Sequence, residues 1–289
     1  MALHIQPADA TLGAMVSGVA LASLDDTQWR QIEDAFLEYA VLIFPAQFLT
    51  DDQQIDFAKR FGTIEQLVAD RNIVPISNQR ADGSLLGEQD HGMQIMMGNE
   101  GWHTDSSYMP LAAKASMLSA HVVPSEGGQT EWADMRAAFD ALEPQTQAKL
   151  QGLTAYHSLY FSQAKIGHLV EAGAGYGFHE ADAPRRSLVK VHPVTGRPAL
   201  YIGRHAYGVG NADQSEVLDE ERSQALLDEL VKFACQAPRT YLHQWQPGDL
   251  AVWDNRCVLH RARPYDHSQP RVMKHTRIAG DPATETCLA

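Results

Sequence analysis

Four short β-prone runs crowd the last quarter of the chain, at 240–246, 250–254, 258–263 and 271–279. Pro247-Gly248-Asp249, Asn255-Arg256 and a loop from Pro264 to Pro270 separate them. Runs this short, punctuated by turn residues and with most helical patterns elsewhere, predict an antiparallel sandwich or barrel rather than alternating β-α units. The expected class is mainly β, with α-helices packed on the outside. Asp25 and Asp26 open a stretch with Trp29, Ile32, Phe36 and Leu37 at helical spacing, ended by the β-leaning Val41-Leu42-Ile43-Phe44. Thr50 followed by Gln53 reads as a capping box for a second helix that carries Ile55, Phe57, Ala58 and Phe61 and stops at Gly62. Further helices are expected over 135–153 and 217–234.

No internal repeat and no Pro/Gly/Ser linker divides the sequence, so 1–289 reads as one domain, long enough to bury a core without disulfide or metal staples. The segment 64–101 mixes Asn72, Asn78, Gly83, Gly87, Gly92 and Gly98 with short apolar pieces and reads as an irregular surface excursion of the binding-loop kind. Charge excludes one class of partner. With 23 basic and 36 acidic side chains, a formal charge of −13, the chain lacks the clustered cations that track phosphates, and nucleic acid is not expected. The apolar-leaning stretch 12–24 is broken by Gly13, Ser17, Gly18 and Ser23, so neither a signal peptide nor a membrane span is expected. Cys235, Cys257 and Cys287 show no CxxC spacing and read as reduced thiols in a cytoplasm.

Thirteen histidines invite a search for a metal site, and spacing selects among them. In Trp102-His103-Thr104-Asp105 an imidazole and a carboxylate stand two residues apart, which on a strand puts both on one face. His260 is the favoured third ligand. Two imidazoles and a carboxylate on one face of an ion form the facial triad of non-haem iron(II) oxygenases. The same pair also occurs as an ordinary hydrogen-bonded couple, so its surroundings must decide. In the run 271–277, period two sets Arg271, Met273, His275 and Arg277 on one face. A guanidinium inside a barrel needs an anion, either a structural carboxylate or a ligand that its planar fork can grip.

Taken together, Trp102-His103-Thr104-Asp105, Gly127-Gly128-Gln129-Thr130-Glu131-Trp132, Trp253-Asp254-Asn255-Arg256 with His260, and Arg271 closely resemble the taurine dioxygenase family. Arg60-Phe61-Gly62 and His192-Pro193-Val194-Thr195-Gly196-Arg197 are accessory matches. The resemblance implies a double-stranded β-helix, a cupin-like jelly roll with flanking helices. It implies an Fe(II)- and 2-oxoglutarate-dependent dioxygenase that hydroxylates a small organic acid and releases succinate and carbon dioxide. By motif position His103, Asp105 and His260 are the iron ligands, and Thr130 and Arg271 hold the distal carboxylate of 2-oxoglutarate. Trp253 to Arg256 is expected to shape the strand ahead of His260, and Trp132 to line the pocket or to fill the core.

The stretch from Asp105 to Leu153 resembles the phenoxyacetate branch more than the taurine branch, which places the chain by likeness without identifying its substrate; a small, aryloxyalkanoate-like acid is the expectation. Alkyl sulfonates, sulfate esters and amino-acid-derived metabolites remain alternatives within the same chemistry. A zinc hydrolase or a 2-oxoglutarate-binding sensor is the alternative outside it. Four residues after Arg271 the family carries a second arginine for the substrate's acid, and here that position is His275, with Arg277 one step further on the same face. Asn99 and Tyr108 are the other substrate-facing candidates. Met93, Met96 and Met97, with Ile95, read either as an apolar lid or as buried packing. His91, His157, His168 and His205 lack triad spacing and read as surface or satisfied polar groups. A small-molecule substrate and a homo-oligomer, dimer or tetramer, complete the expectations.

Overall fold

The computed structural model describes residues 3–68, 70–171, 173 and 177–288. Ala69, inside the expected excursion, and the extreme ends of the expected domain lie outside the described residues. The strands in chain order are β1 (His4–Pro7), β2 (Ala14–Ser17), β3 (Val41–Phe44), β4 (Val74–Ser77), β5 (Ala113–Val122), β6 (Thr130–Asp134), β7 (Leu153–His157), β8 (Arg185–Ser187), β9 (Val189–Val191), β10 (Pro198–Leu200), β11 (Ala206–Asn211), β12 (Thr240–His243), β13 (Leu250–Asp254), β14 (Val258–Ala262) and β15 (Val272–Ala279). The helices are α1 (Asp26–Tyr39), α2 (Asp51–Phe61), α3 (His91–Gly98), α4 (Met135–Asp140), α5 (Pro144–Gln151), α6 (Leu159–Ala164), α7 (Glu220–Ala234) and α8 (Pro282–Glu285).

A seven-stranded sheet runs in the order β1-β2-β3-β13-β5-β15-β4, and β12-β6-β14 and β11-β7-β8 form two three-stranded sheets. All pairings are antiparallel except β2 with β3. The arrangement is the expected jelly roll with helices outside.

Both faces of the large sheet are covered, which explains runs such as Val41-Leu42-Ile43-Phe44 that are apolar without alternation. Val41, Ile43, Leu118, Ala251, Trp253 and Met273 point inward and share a core with Trp132, Ala133 and Leu259 of the smaller sheet. Leu42, Phe44, Met117, Val252 and Ile278 point outward and are sealed by Ile32 and Phe36 of α1 and Phe57, Ala58 and Phe61 of α2. Both of these helices start as the sequence predicts, each with a capping box, Asp25 with Gln28 and Thr50 with Gln53.

Two expectations change. The helix expected over 135–153 is two helices and the start of a strand, because Pro144 has no N–H for a continuing helix and sits instead in the first turn of α5. The segment 64–101 is more regular than its composition suggests: β4 pairs with β15 at the sheet edge, and α3 forms nearby, its methionines sharing a hollow with Ile76 of β4. No helix among the described residues is long and apolar enough to cross a membrane.

Candidate metal centre and co-substrate cavity

His103, Asp105 and His260 converge. They form a buried group whose ligand atoms all lie within 4.8 Å of one another. The strand expected for His103-Thr104-Asp105 is in fact a single bridge followed by a turn. His103 N–H donates to His260 O at 2.9 Å and His260 N–H returns to His103 O at 2.8 Å, so backbone pairing sets the two imidazoles side by side. Thr104 Oγ1 bonds Val258 O. Ser106 then adopts φ 53°, a left-handed turn that swings the chain away after Asp105.

The protonation pattern suits metal binding. His103 Nδ1 lies 2.8 Å from Gly101 O, which fixes the proton on that nitrogen and leaves Nε2 as a lone pair. Burial lowers the His103 pKa to about 4, so the ring is neutral at physiological pH. Burial alone would raise the Asp105 carboxyl, but Arg277, His260 and His275 together outweigh it and hold the acid well below the usual carboxylate range. Asp105 Oδ2 accepts from Ser116 Oγ at 2.7 Å and faces His260 Nε2 at 3.5 Å, while Oδ1 faces Arg277 Nη2 at 2.8 Å. Neutral imidazoles and an ionised, oriented carboxylate are what a divalent cation requires.

The triad borders a cavity that reaches Thr130 and Arg271. Arg271 is 5 % exposed, and its Nε donates to Gly128 O at 3.2 Å. No carboxylate pairs with it among the described residues, and burial lowers its pKa to about 10. A buried guanidinium with no protein anion is the fit expected of a carboxylate-binding ligand.

The other candidates divide. Asn99 and His275 border the cavity. His275 Nε2 stands 3.5 Å from Asp105 Oδ2, and burial lowers its pKa, so it offers no positive charge to an acid. Arg277 borders the cavity too, but its guanidinium is committed to Asp105 and to Ser106 Oγ and the Tyr108 hydroxyl at 3.1 and 3.2 Å. It therefore does not stand in for the missing substrate arginine. Tyr108 packs with Ile95, Leu159 and Phe178 in a satellite cluster and is absent from the cavity wall. Trp132 fills the core. Trp253, expected only to shape its strand, also faces the cavity, with its ring stacked on His275 at 5.9 Å and tilted against His260 at 4.7 Å. Next to it, Asp254 clamps Arg256 and receives His192 at 3.0 Å, which fixes the turn leading to His260.

Met93, Met96 and Met97 resolve as a recess. With Ile76 and Tyr265 they line a second hollow that shares Asn99, Ala262 and Arg271 with the triad cavity. Ile95 points the other way, into the satellite cluster. Two further neighbours complete the surroundings: Arg204, which no spacing signal in the sequence marks, and His205, which is the satisfied polar group that the sequence suggests. Arg204 donates to the carbonyls of Gly98 and Ser162, stapling the ends of α3 and α6 together. His205, held by Ser162 Oγ at 2.8 Å, packs edge-on against His103 and Tyr108.

Residues 4–277 match the family described as taurine catabolism dioxygenase TauD, TfdA family. The chain belongs to the TauD/TfdA family. It is 53% identical to the (S)-phenoxypropionate/alpha-ketoglutarate-dioxygenase of Sphingobium herbicidovorans, over 100% of this chain and 99% of the relative. It is 39% identical to the alpha-ketoglutarate-dependent 2,4-dichlorophenoxyacetate dioxygenase of Cupriavidus pinatubonensis, over 90% and 91% of the two chains. The crystal structure of AAD-2 in complex with Mn(II) and N-oxalylglycine superposes with a TM-score of 0.89 at 36% identity, covering 100% of both chains. As a TauD/TfdA enzyme the protein is an Fe(II)- and 2-oxoglutarate-dependent dioxygenase of the phenoxyacetate branch, which removes the hydrolase and sensor readings.

Proposed function

We propose that the protein hydroxylates the carbon beside the ether oxygen of 2-aryloxyalkanoates, with preference for (S)-2-aryloxypropionates. The observation that carries the substrate class is the methionine-lined recess beside the triad cavity, the two sharing Ile76, Asn99, Ala262 and Arg271 as walls. An aryl ring suits that recess, since thioethers adapt to and contact aromatic faces. The relative from Sphingobium herbicidovorans supports the acid and its configuration.

In this reading His103, Asp105 and His260 hold the iron, and Thr130 and Arg271 grip the distal carboxylate of 2-oxoglutarate. The iron supplies, when bound, the activation of oxygen coupled to oxidative decarboxylation of 2-oxoglutarate to succinate and carbon dioxide. The chain does the rest. Arg277 and Ser116 fix the Asp105 carboxylate, Trp253 and Leu118 keep bulk water from the cavity, and the α3 methionines set the ring so that the ether-bearing carbon faces the triad. Asn99 and His275 offer neutral donors to the substrate carboxylate in place of a second guanidinium. The hydroxylated product is a hemiketal, and its C–O bond breaks to give a phenol and a 2-oxo acid. The three cysteines, all without disulfide partners, support a cytoplasmic setting.

The test is succinate and phenol formation by iron-loaded enzyme with (R)- and (S)-2-phenoxypropionate, phenoxyacetate, an alkyl sulfonate and a sulfate ester, with His103→Ala as the control. We expect the (S)-aryloxypropionate to be turned over fastest, with one phenol per succinate. Faster turnover of the sulfonate or the sulfate ester overturns the substrate class, and faster turnover of the (R)-acid overturns the configuration.

A further inference from the structure

Thr130 is one of two groups proposed above to receive the distal carboxylate of 2-oxoglutarate, and a threonine hydroxyl is by itself an ambiguous partner. It rotates freely and both donates and accepts. An anion needs it as a donor. Nothing on Thr130's own strand settles the direction of its proton.

Trp245 settles it. Its Nε1 lies 3.0 Å from Thr130 Oγ1, with both side chains buried. An indole N–H only donates, so the Thr130 oxygen accepts there and its own proton must turn elsewhere. Among the described residues no acceptor receives that proton. The direction left open is the cavity, which Thr130 borders together with Arg271. The indole is in turn immobile: it belongs to the central core and packs edge-on against His243 at 4.8 Å, and His243 is bonded to Asp249 at 3.1 Å. His243 is also the residue paired with Thr130 across β12 and β6, so the indole, two residues past the end of β12, is delivered beside the hydroxyl it addresses.

We infer that Trp245 is a positioning residue for 2-oxoglutarate: its indole N–H sets the Thr130 hydroxyl as a donor aimed at the co-substrate's distal carboxylate. The inference rests on the assignment of Thr130 and Arg271 to that carboxylate. The pair forms a donor that is oriented before the ligand arrives, and oriented donors in a buried site are worth more than ones that must reorganise on binding. If the Trp245–Thr130 contact only satisfied a buried N–H, its loss would lower stability and leave the ligand's affinity alone.

A double-mutant cycle separates the two. Dissociation constants for 2-oxoglutarate and for N-oxalylglycine are measured by calorimetry on Mn(II)-loaded full-length enzyme for Trp245→Phe, Thr130→Val and the double variant, with thermal melting of each. We expect Trp245→Phe to weaken both ligands about threefold to tenfold. We also expect Thr130→Val to weaken them at least as much, and the double variant to be no weaker than Thr130→Val alone. An unchanged affinity in Trp245→Phe, or losses that multiply in the double variant, overturn the inference. Should Trp245→Phe not fold, benzothienylalanine at position 245 keeps the shape of the ring without its N–H and is read in the same way. Arg271→Leu is the control on the underlying assignment. If it leaves the affinity unchanged, that assignment falls, whereas weakening by Arg271→Leu without weakening by Trp245→Phe overturns only the role of Trp245.

Discussion

Arg277 holds Asp105. Its Nη2 lies 2.8 Å from Oδ1, and both side chains are within a few per cent of full burial. The period-two pattern of the run 271–277 puts Arg271, His275 and Arg277 on one face, but only the fold shows that the first, just ahead of β15, faces the cavity without a protein anion while the last secures a triad carboxylate. Removing it with Arg277→Met strands a buried carboxylate, a loss of about 3–5 kcal/mol. Urea denaturation of the metal-free variant should show it. Because a divalent ion would then be the counter-charge, saturating Mn(II) should raise the melting temperature of the variant by more than that of the parent.

Gly128 stands at φ 66°, and a β-carbon there would sit 3.2 Å from Arg271 Nε and 3.0 Å from Pro124 Cγ. Gly128→Ala therefore adds backbone strain of about 1–2 kcal/mol and displaces the guanidinium. The expected outcome is roughly tenfold weaker 2-oxoglutarate binding, the equivalent of one lost charge-assisted hydrogen bond. Calorimetry on Mn(II)-loaded protein checks it.

His157 is 1 % exposed, neither ring nitrogen has a partner, and burial lowers its pKa to about 3. The folded ring stays neutral while the unfolded ring takes up a proton below its reference value near 6.5. Stability is therefore lost as pH falls from about 6.5 towards 3, at up to about 1.4 kcal/mol per pH unit from this residue. His157→Phe should make the slope of unfolding free energy on pH between 6 and 4 shallower by close to one proton. An unchanged slope would show that the ring is protonated in the fold.

Asp254 is buried between the Arg256 guanidinium and the His192 imidazole at the end of β13. Asp254→Leu leaves Arg256 buried without its anion, and a loss of about 3–5 kcal/mol is expected in chemical denaturation. The turn to β14 also loses its anchor, so the metal affinity of the variant should fall even where it remains folded.

The sequence by itself determined the class of fold and most of the triad. Short runs between turn residues, two capping boxes and a period-two run are local signals, set by backbone geometry within a few residues, and the structure keeps them. His103 with Asp105 belonged to that kind of signal. Their regular strand did not, since a single bridge to His260 does the aligning. Only the tertiary structure decided what Arg277, Tyr108, Trp253 and Trp245 do. Tyr108 and Arg277 are 169 residues apart, and Trp245 and Thr130 are 115 apart. A guanidinium, a phenol or an indole carries no mark in sequence of which partner it will meet. That is settled when two sheets close on each other and water is excluded, since most buried charges and donors then meet a partner within about 3 Å.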